Sequence, residues 1–231
     1  MPPAQTEGLY MPEQLLLADV DVDGAVAEAA EEALGGSRAD FLKKAGLGVA
    51  TLAGGSALLG ALPSLAAAGV SSGDVAILNF ALTLEYLEAA FYAEAVSKGA
   101  LHGETKKFAA LVASHEAAHV GALKAALGSK AVAKPTFDFK GTTANQAKFQ
   151  ATSEKLEYTG VSAYLGQVGN IKSKAVLAAA GSILPVEAWH AAWIADIRRH
   201  GGNPPPAPMA FAKGKTKAQI LAAVKATGFI Q

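Results

Sequence analysis

The chain has 231 residues, 51% of them apolar, with no Cys and a formal net charge of zero. That length supports one well-buried domain plus extra segments, and the lack of Cys excludes disulfides, thiolate metal ligands and Cys nucleophiles. The abundance of Ala and Leu beside only 9 Phe, 5 Tyr and 2 Trp favours helices, in which Ala and Leu lose little side-chain freedom.

Charge is unevenly distributed. Residues 1–36 hold eight acids and no Lys or Arg, which leaves 12 acids against 20 bases in the remainder. This acidic extension ends at Gly35-Gly36. Inside it, Asp19-Val20-Asp21-Val22-Asp23-Gly24 begins like a calcium loop, but Ala30 stands at the twelfth position, where such a loop needs a bidentate Glu.

Residues 37–68 read as a second segment. Ser37-Arg38-Ala39-Asp40-Phe41-Leu42-Lys43 resembles a twin-arginine export signal, with Ala39 in the place of the second arginine. An uncharged stretch, Ala45 to Leu62, follows, and then the small-x-small pattern of Ser64-Leu65-Ala66-Ala67-Ala68. This order predicts export to the periplasm, the cell surface or the medium, with a mature chain beginning near Gly69. Two alternatives are that residues 45–62 are retained at a membrane, for which 18 residues are the lower limit, or packed on the domain.

Residues 69–231 are predicted to form an all-α domain. A first helix starts at Ser71-Ser72-Gly73-Asp74, a hydroxyl cap with an early acid, and stops at Gly99. A second runs from about Glu104 to Leu127, and Pro135 to Gly141 form a connecting loop. The third begins near Thr143, reaches at least Tyr164 and is broken by Gly166, Gly169 and Asn170. The fourth spans about Ser173 to His200, with a kink expected at Pro185, and Thr216 with Gln219 caps a short C-terminal helix. Four long helices imply a four-helix bundle.

Chemistry enters through two Glu-x-x-His pairs, Glu116/His119 and Glu187/His190. Residues three apart on a helix share a face, so carboxylate and imidazole can meet one ion. Each pair interrupts an apolar seam: Ala109, Val112, Glu116, His119, Leu123 and Ala126 on the second helix, and Val176, Ala180, Ile183, Glu187, His190, Ile194 and Ile197 on the fourth. On the first helix the seam reads Leu78, Leu82, Glu85, Ala89, Tyr92 and Val96. The third offers Glu157, followed by Val161, Tyr164 and Val168, with Glu154 as the alternative one turn earlier. A lone buried carboxylate costs several kcal/mol or takes up a proton, so such seams call for a shared cationic partner. Glu85 precedes Glu116 by 31 residues and Glu157 precedes Glu187 by 30, which repeats a Glu helix followed by a Glu-x-x-His helix. Dimetal bundles are built in this way, and four Glu would balance two divalent ions.

These residues resemble the ferritin-like di-iron carboxylate superfamily, and in particular its branch of exported desiccation-related proteins. The resemblance rests on Leu78 to Glu88, His115 to Val120, Leu156 to Gly166 and Val186 to His190, with the tail around Met209-Ala210-Phe211 and Ile220 to Ile230. It implies two metal ions, iron or manganese, held by Glu85, Glu116, His119, Glu157, Glu187 and His190. Tyr92 stands where related bacterioferritins carry a tyrosine near their metals, and it is otherwise a core tyrosine. Glu88 and His115 are expected to border the site, His115 hydrogen-bonded to backbone.

The functions that follow are a redox-active dimetal protein acting on dioxygen or peroxide in oxidative or desiccation stress, a non-catalytic protective protein, or a manganese catalase. No phosphate loop is present, and no nucleic-acid motif. The oligomeric state does not follow from four helices.

Overall fold

The computed structural model describes residues 70–200 and 202–231. The acidic extension and the export-like segment predicted over 1–36 and 37–68 lie outside the described residues.

Among the described residues five helices follow one another: α1 Ser72–Lys98, α2 Gly103–Leu127, α3 Gln146–Val168, α4 Lys174–Arg199 and α5 Lys217–Thr227. Single 3-10 turns occupy Gly128–Lys130 and Thr142–Ala144. Local chemistry sets most ends. The Ser71 hydroxyl accepts the Asp74 amide, the Asn145 side chain that of Lys148 and Ser173 that of Val176. Gly99 and Gly228 close α1 and α5 with left-handed backbone, and Thr216 with Gln219 forms the expected capping box.

Two expectations need correction. Near Thr143 the chain makes a 3-10 turn, and α3 starts only at the Asn145 cap. Gly166 does not break α3, which runs on to Val168. It is a site of close approach: a Cβ there would lie 1.9 Å from the Lys215 carbonyl oxygen. The C-terminal chain is laid against α3 at that point, with the Lys215 amide donating to the Ser162 carbonyl at 2.9 Å. Pro185 lies inside α4 without ending it.

Cross-helix contacts define the topology. On α1 and α3, Glu85 meets Tyr164 while Tyr92 meets Glu157 and Ser153. On α1 and α2, Glu85 meets His119 while Tyr92 packs on Phe108. Both neighbours therefore run antiparallel to α1, and α2 and α3 point the same way. The segment between them must return along the whole bundle, which is the single long crossover of ferritin-like folds. It begins beside α1, where the Asn79 side chain bonds the Lys130 carbonyl at 2.9 Å and the Val132 amide at 2.7 Å. It ends beyond Phe139, packed on Phe91, where Thr143 meets Glu94 and Lys98. The C-terminus ties onto this crossover through the Phe137–Ile230 bridge.

Two apolar clusters fill the bundle. One gathers Phe91, Tyr92, Phe108, Phe149 and Ile194 with Ile220 and Phe229, and the other Leu82, Leu123, Tyr164, Val176 and Ile183. One polar tie sits at the edge of the second. The buried Asp74 carboxylate accepts the Lys172 and Ser173 amides at 2.9 and 3.0 Å, which joins the start of α1 to the start of α4. Its removal strands two amide donors, so Asp74→Ala should cost about 2–3 kcal/mol. A lower urea midpoint at unchanged slope would register this, and an unaltered midpoint would show that the tie contributes nothing.

Candidate metal centre

The four long helices each turn carboxylates towards the bundle axis. Glu85 comes from α1, Glu116 from α2, Glu157 from α3 and Glu187 from α4, and all four are fully buried. One turn along α2 and α4, the i+3 spacing brings His119 and His190 to the same faces. His119 Nδ1 lies 3.2 Å from Glu85 Oε2, 3.3 Å from Glu116 Oε2 and 3.4 Å from Glu187 Oε1. His190 Nδ1 lies 3.2 Å from Glu116 Oε1 and 3.3 Å from Glu157 Oε2.

The structure thus brings all six residues together, in two overlapping groups. Glu85, Glu116, His119 and Glu187 form one, and Glu116, Glu157, Glu187 and His190 the other; within each, the donor atoms lie within 4.8 Å of one another. Glu116 and Glu187 belong to both. Five buried atoms of this centre lack any hydrogen-bond partner: Glu116 Oε1, Glu157 Oε2, both oxygens of Glu187, and His190 Nδ1. Buried polar atoms are almost always partnered, and oxygen with imidazole nitrogen is the donor chemistry of iron, manganese and zinc. The residues present fit divalent cations.

The model of the ferritin-like domain family matches residues 73–200, which run from the first turn of α1 to the end of α4. The chain belongs to the ferritin-like domain family. Curated protein sequences give no significant match. In this ferritin-like domain α5 and the chain leading to it lie beyond the matched region.

Around the six, several side chains take positions that the seams left open. Tyr92 donates to Glu157, and its hydroxyl also lies 2.5 Å from Ser153 Oγ. The buried Ser153 of α3 is therefore a partner of this tyrosine. Tyr164 does the same for α1, donating to Glu85 Oε1 at 2.5 Å. Sequence reading placed Tyr164 on the right face and gave no sign of this bond. Glu88 is inward, only 3% exposed, because the buried line of α1 runs Glu85, Glu88, Tyr92, Ala95. Val96, taken as a seam residue, is 45% exposed. Both lines obey helical spacing, so periodicity alone could not choose.

His115 contacts a ring rather than backbone, with its Nδ1 2.9 Å from His190 Nε2. Glu154 does not join the centre and pairs with Arg198 and Arg199 on α4. Glu94 pairs with Lys98 at 2.5 Å. Gly160 went unnoticed: a Cβ there would fall 2.4 Å from Glu187 Oε2, so its bare backbone makes room for that carboxylate.

Burial first, and then the neighbouring carboxylates, raise Glu88, Glu116 and Glu187 well above the usual range. Burial opposes the charged form of His119, but the carboxylates of Glu116, Glu187 and Glu85 around it outweigh burial and raise its affinity for a second proton. Burial likewise opposes ionisation of Glu85, and there His119 prevails and lowers the value. Groups raised in the folded state favour folding most at low pH and lose that contribution as pH rises, whereas the Glu85 contribution is already complete above about 4.5. The metal-free protein should therefore melt lower at pH 8 than at pH 6. Adding Mn²⁺ should release protons and reduce that difference. Calorimetry in two buffers of different ionisation heat checks the release, and uptake of Mn²⁺ without proton release would contradict it.

Proposed function

We propose that this ferritin-like domain holds two divalent ions, iron or manganese, between Glu85, Glu116, His119, Glu157, Glu187 and His190, and acts as a ferroxidase-like oxidoreductase on dioxygen or peroxide. The observation that carries the reading is the set of five buried donor atoms without partners, shared by two four-residue groups. When bound, such ions supply a reversible one-electron couple and Lewis acidity. The chain's own contribution is placement. Glu116 and Glu187, common to both groups, would be available to both ions, and Glu85 and Glu157, the terminal carboxylates, to one each. Tyr164 and Tyr92 each donate a hydroxyl proton to one terminal carboxylate, which fixes its rotamer and leaves its other oxygen for a cation. Full burial of the four Glu excludes bulk water, and the His119 side chain, 11% exposed, marks the thinnest cover.

Four Glu against two divalent ions would give a neutral centre, so binding would remove the repulsion that adds to burial in raising Glu88, Glu116 and Glu187. Apoprotein mixed with Fe²⁺ in air should oxidise it at least about tenfold faster than the Glu116→Ala variant does, a loss on the scale of disturbed metal sites. Equal rates would remove the redox reading. A second reading, a protective protein whose ions only clamp the helices, is favoured by the origin of the donors in all four helices. It requires a higher melting temperature on Mn²⁺ addition without Fe²⁺ turnover. Oxygen evolution from peroxide by the manganese-loaded protein would instead make it a catalase.

The physiological setting we propose is oxidative or desiccation stress outside the cytoplasm, supported by the tail resemblance and by the export-like order of residues 37–68. Protein recovered from the cell exterior should then begin near Gly69. A chain starting at Met1 or Pro2 would exclude cleavage.

A further inference from the structure

The two halves of the centre differ in how their histidines are held from behind. His190 presents Nδ1 to Glu116 and Glu157 and has its far nitrogen, Nε2, 2.9 Å from His115 Nδ1. The two ring planes are also nearly parallel, 20° apart with centroids at 5.1 Å. His119 presents Nδ1 to Glu85, Glu116 and Glu187, and its Nε2 has no hydrogen-bond partner among the described residues. The carboxylates show no such asymmetry, since Glu85 and Glu157 each receive one tyrosine hydroxyl.

A neutral imidazole that offers the lone pair of Nδ1 to a cation must carry its proton on Nε2. In His190 that proton has an acceptor waiting, because His115 Nδ1 lies at hydrogen-bond distance. The bond selects the tautomer with Nδ1 free and locks the ring plane. The unpartnered state of His190 Nδ1, aimed among carboxylate oxygens, agrees with a nitrogen kept for a cation. His119 has to adopt the same tautomer without help from the other described residues and with a ring nearer solvent, 11% exposed against 4%.

We propose that His115 is a positioning residue that makes the His190 half, formed with Glu116, Glu157 and Glu187, the tighter and first-filled of the two cation sites. This rests on the reading that the centre takes up two divalent ions. The His119 half then exchanges its ion more readily. His115 touches no ion and acts only through the His190 ring.

The test is Mn²⁺ titration of the metal-free full chain, followed by calorimetry and by the electron paramagnetic resonance of free Mn²⁺. Wild type should take up two ions in two steps. His115→Ala should lower the overall constant for both ions about 10–100-fold, the usual range for loss of an outer hydrogen bond to a ligand. His115→Asn, whose Oδ1 stands near the former Nδ1, should restore most of it. His119→Ala should keep the first step, and His190→Ala should lose it. Helicity and melting of the metal-free variants establish that each is folded.

The inference is overturned if His115→Ala binds within about twofold of wild type, if His115→Asn is as weak as His115→Ala, or if the first step survives in His190→Ala and not in His119→Ala. Wild type that takes up no Mn²⁺ would overturn both this inference and the metal-binding reading. Wild type that binds two ions and oxidises no Fe²⁺ would leave this inference standing and remove only the redox role.

Discussion

Four carboxylates, and a fifth in Glu88, are enclosed where water does not reach, and the rest of the structure answers to that enclosure. Moving one ionised carboxylate out of water costs several kcal/mol even after relaxation. Glu88, Glu116 and Glu187 favour their protonated forms and His119 its charged form, which reduces the cost, yet five donor atoms still stand without partners. The centre is thus a source of instability in the bare chain, and stability must come from elsewhere in the bundle.

It comes from the two apolar clusters on either side. Burying one large apolar side chain contributes about 1.5–3 kcal/mol, and the aromatic cluster alone stacks Phe91 on Phe149 and sets Tyr92 edge-on to Phe108. The clusters also reach into the centre. Tyr92 belongs to one and bonds Glu157, while Tyr164 belongs to the other and bonds Glu85. Each apolar body therefore ends in a hydroxyl directed at Glu157 or Glu85, and packing that holds the ring holds that carboxylate too. The same interlocking explains Gly160 and Ser153, where a larger or apolar side chain would displace Glu187 or leave Tyr92 without its second partner.

Much of this was legible because it depends on period and local chemistry. Polar residues at core positions of four seams gave Glu85, Glu116, His119, Glu157, Glu187 and His190 as one group before any coordinates, and caps at Ser71, Ser173 and Thr216 gave the helix starts. What escaped depends on contacts between distant segments. Glu88 and Ala89 are equally good continuations of the α1 seam, and only the neighbouring helices choose between them. Gly166 has the composition of a helix breaker, but the Lys215 backbone needs its missing side chain. Asp74 looks like an acid of the first turn of α1, and its carboxylate is used 98 residues away by the Lys172 amide.

His115 belongs to the same class, and it shows why a motif cannot describe a site fully. The His-Glu-x-x-His run on α2 contains two histidines, and helical geometry assigns them to different neighbours. His119, three residues after Glu116, shares its face and reaches the carboxylates directly. His115, one residue before Glu116, is turned by about 100° along the helix surface, and it leans across to the rear of a ring on α4. The near-repeat of Glu helix and Glu-x-x-His helix predicts two equivalent halves. The residue that breaks the equivalence lies outside the repeat, because Val186, not a histidine, precedes Glu187 in the matching position.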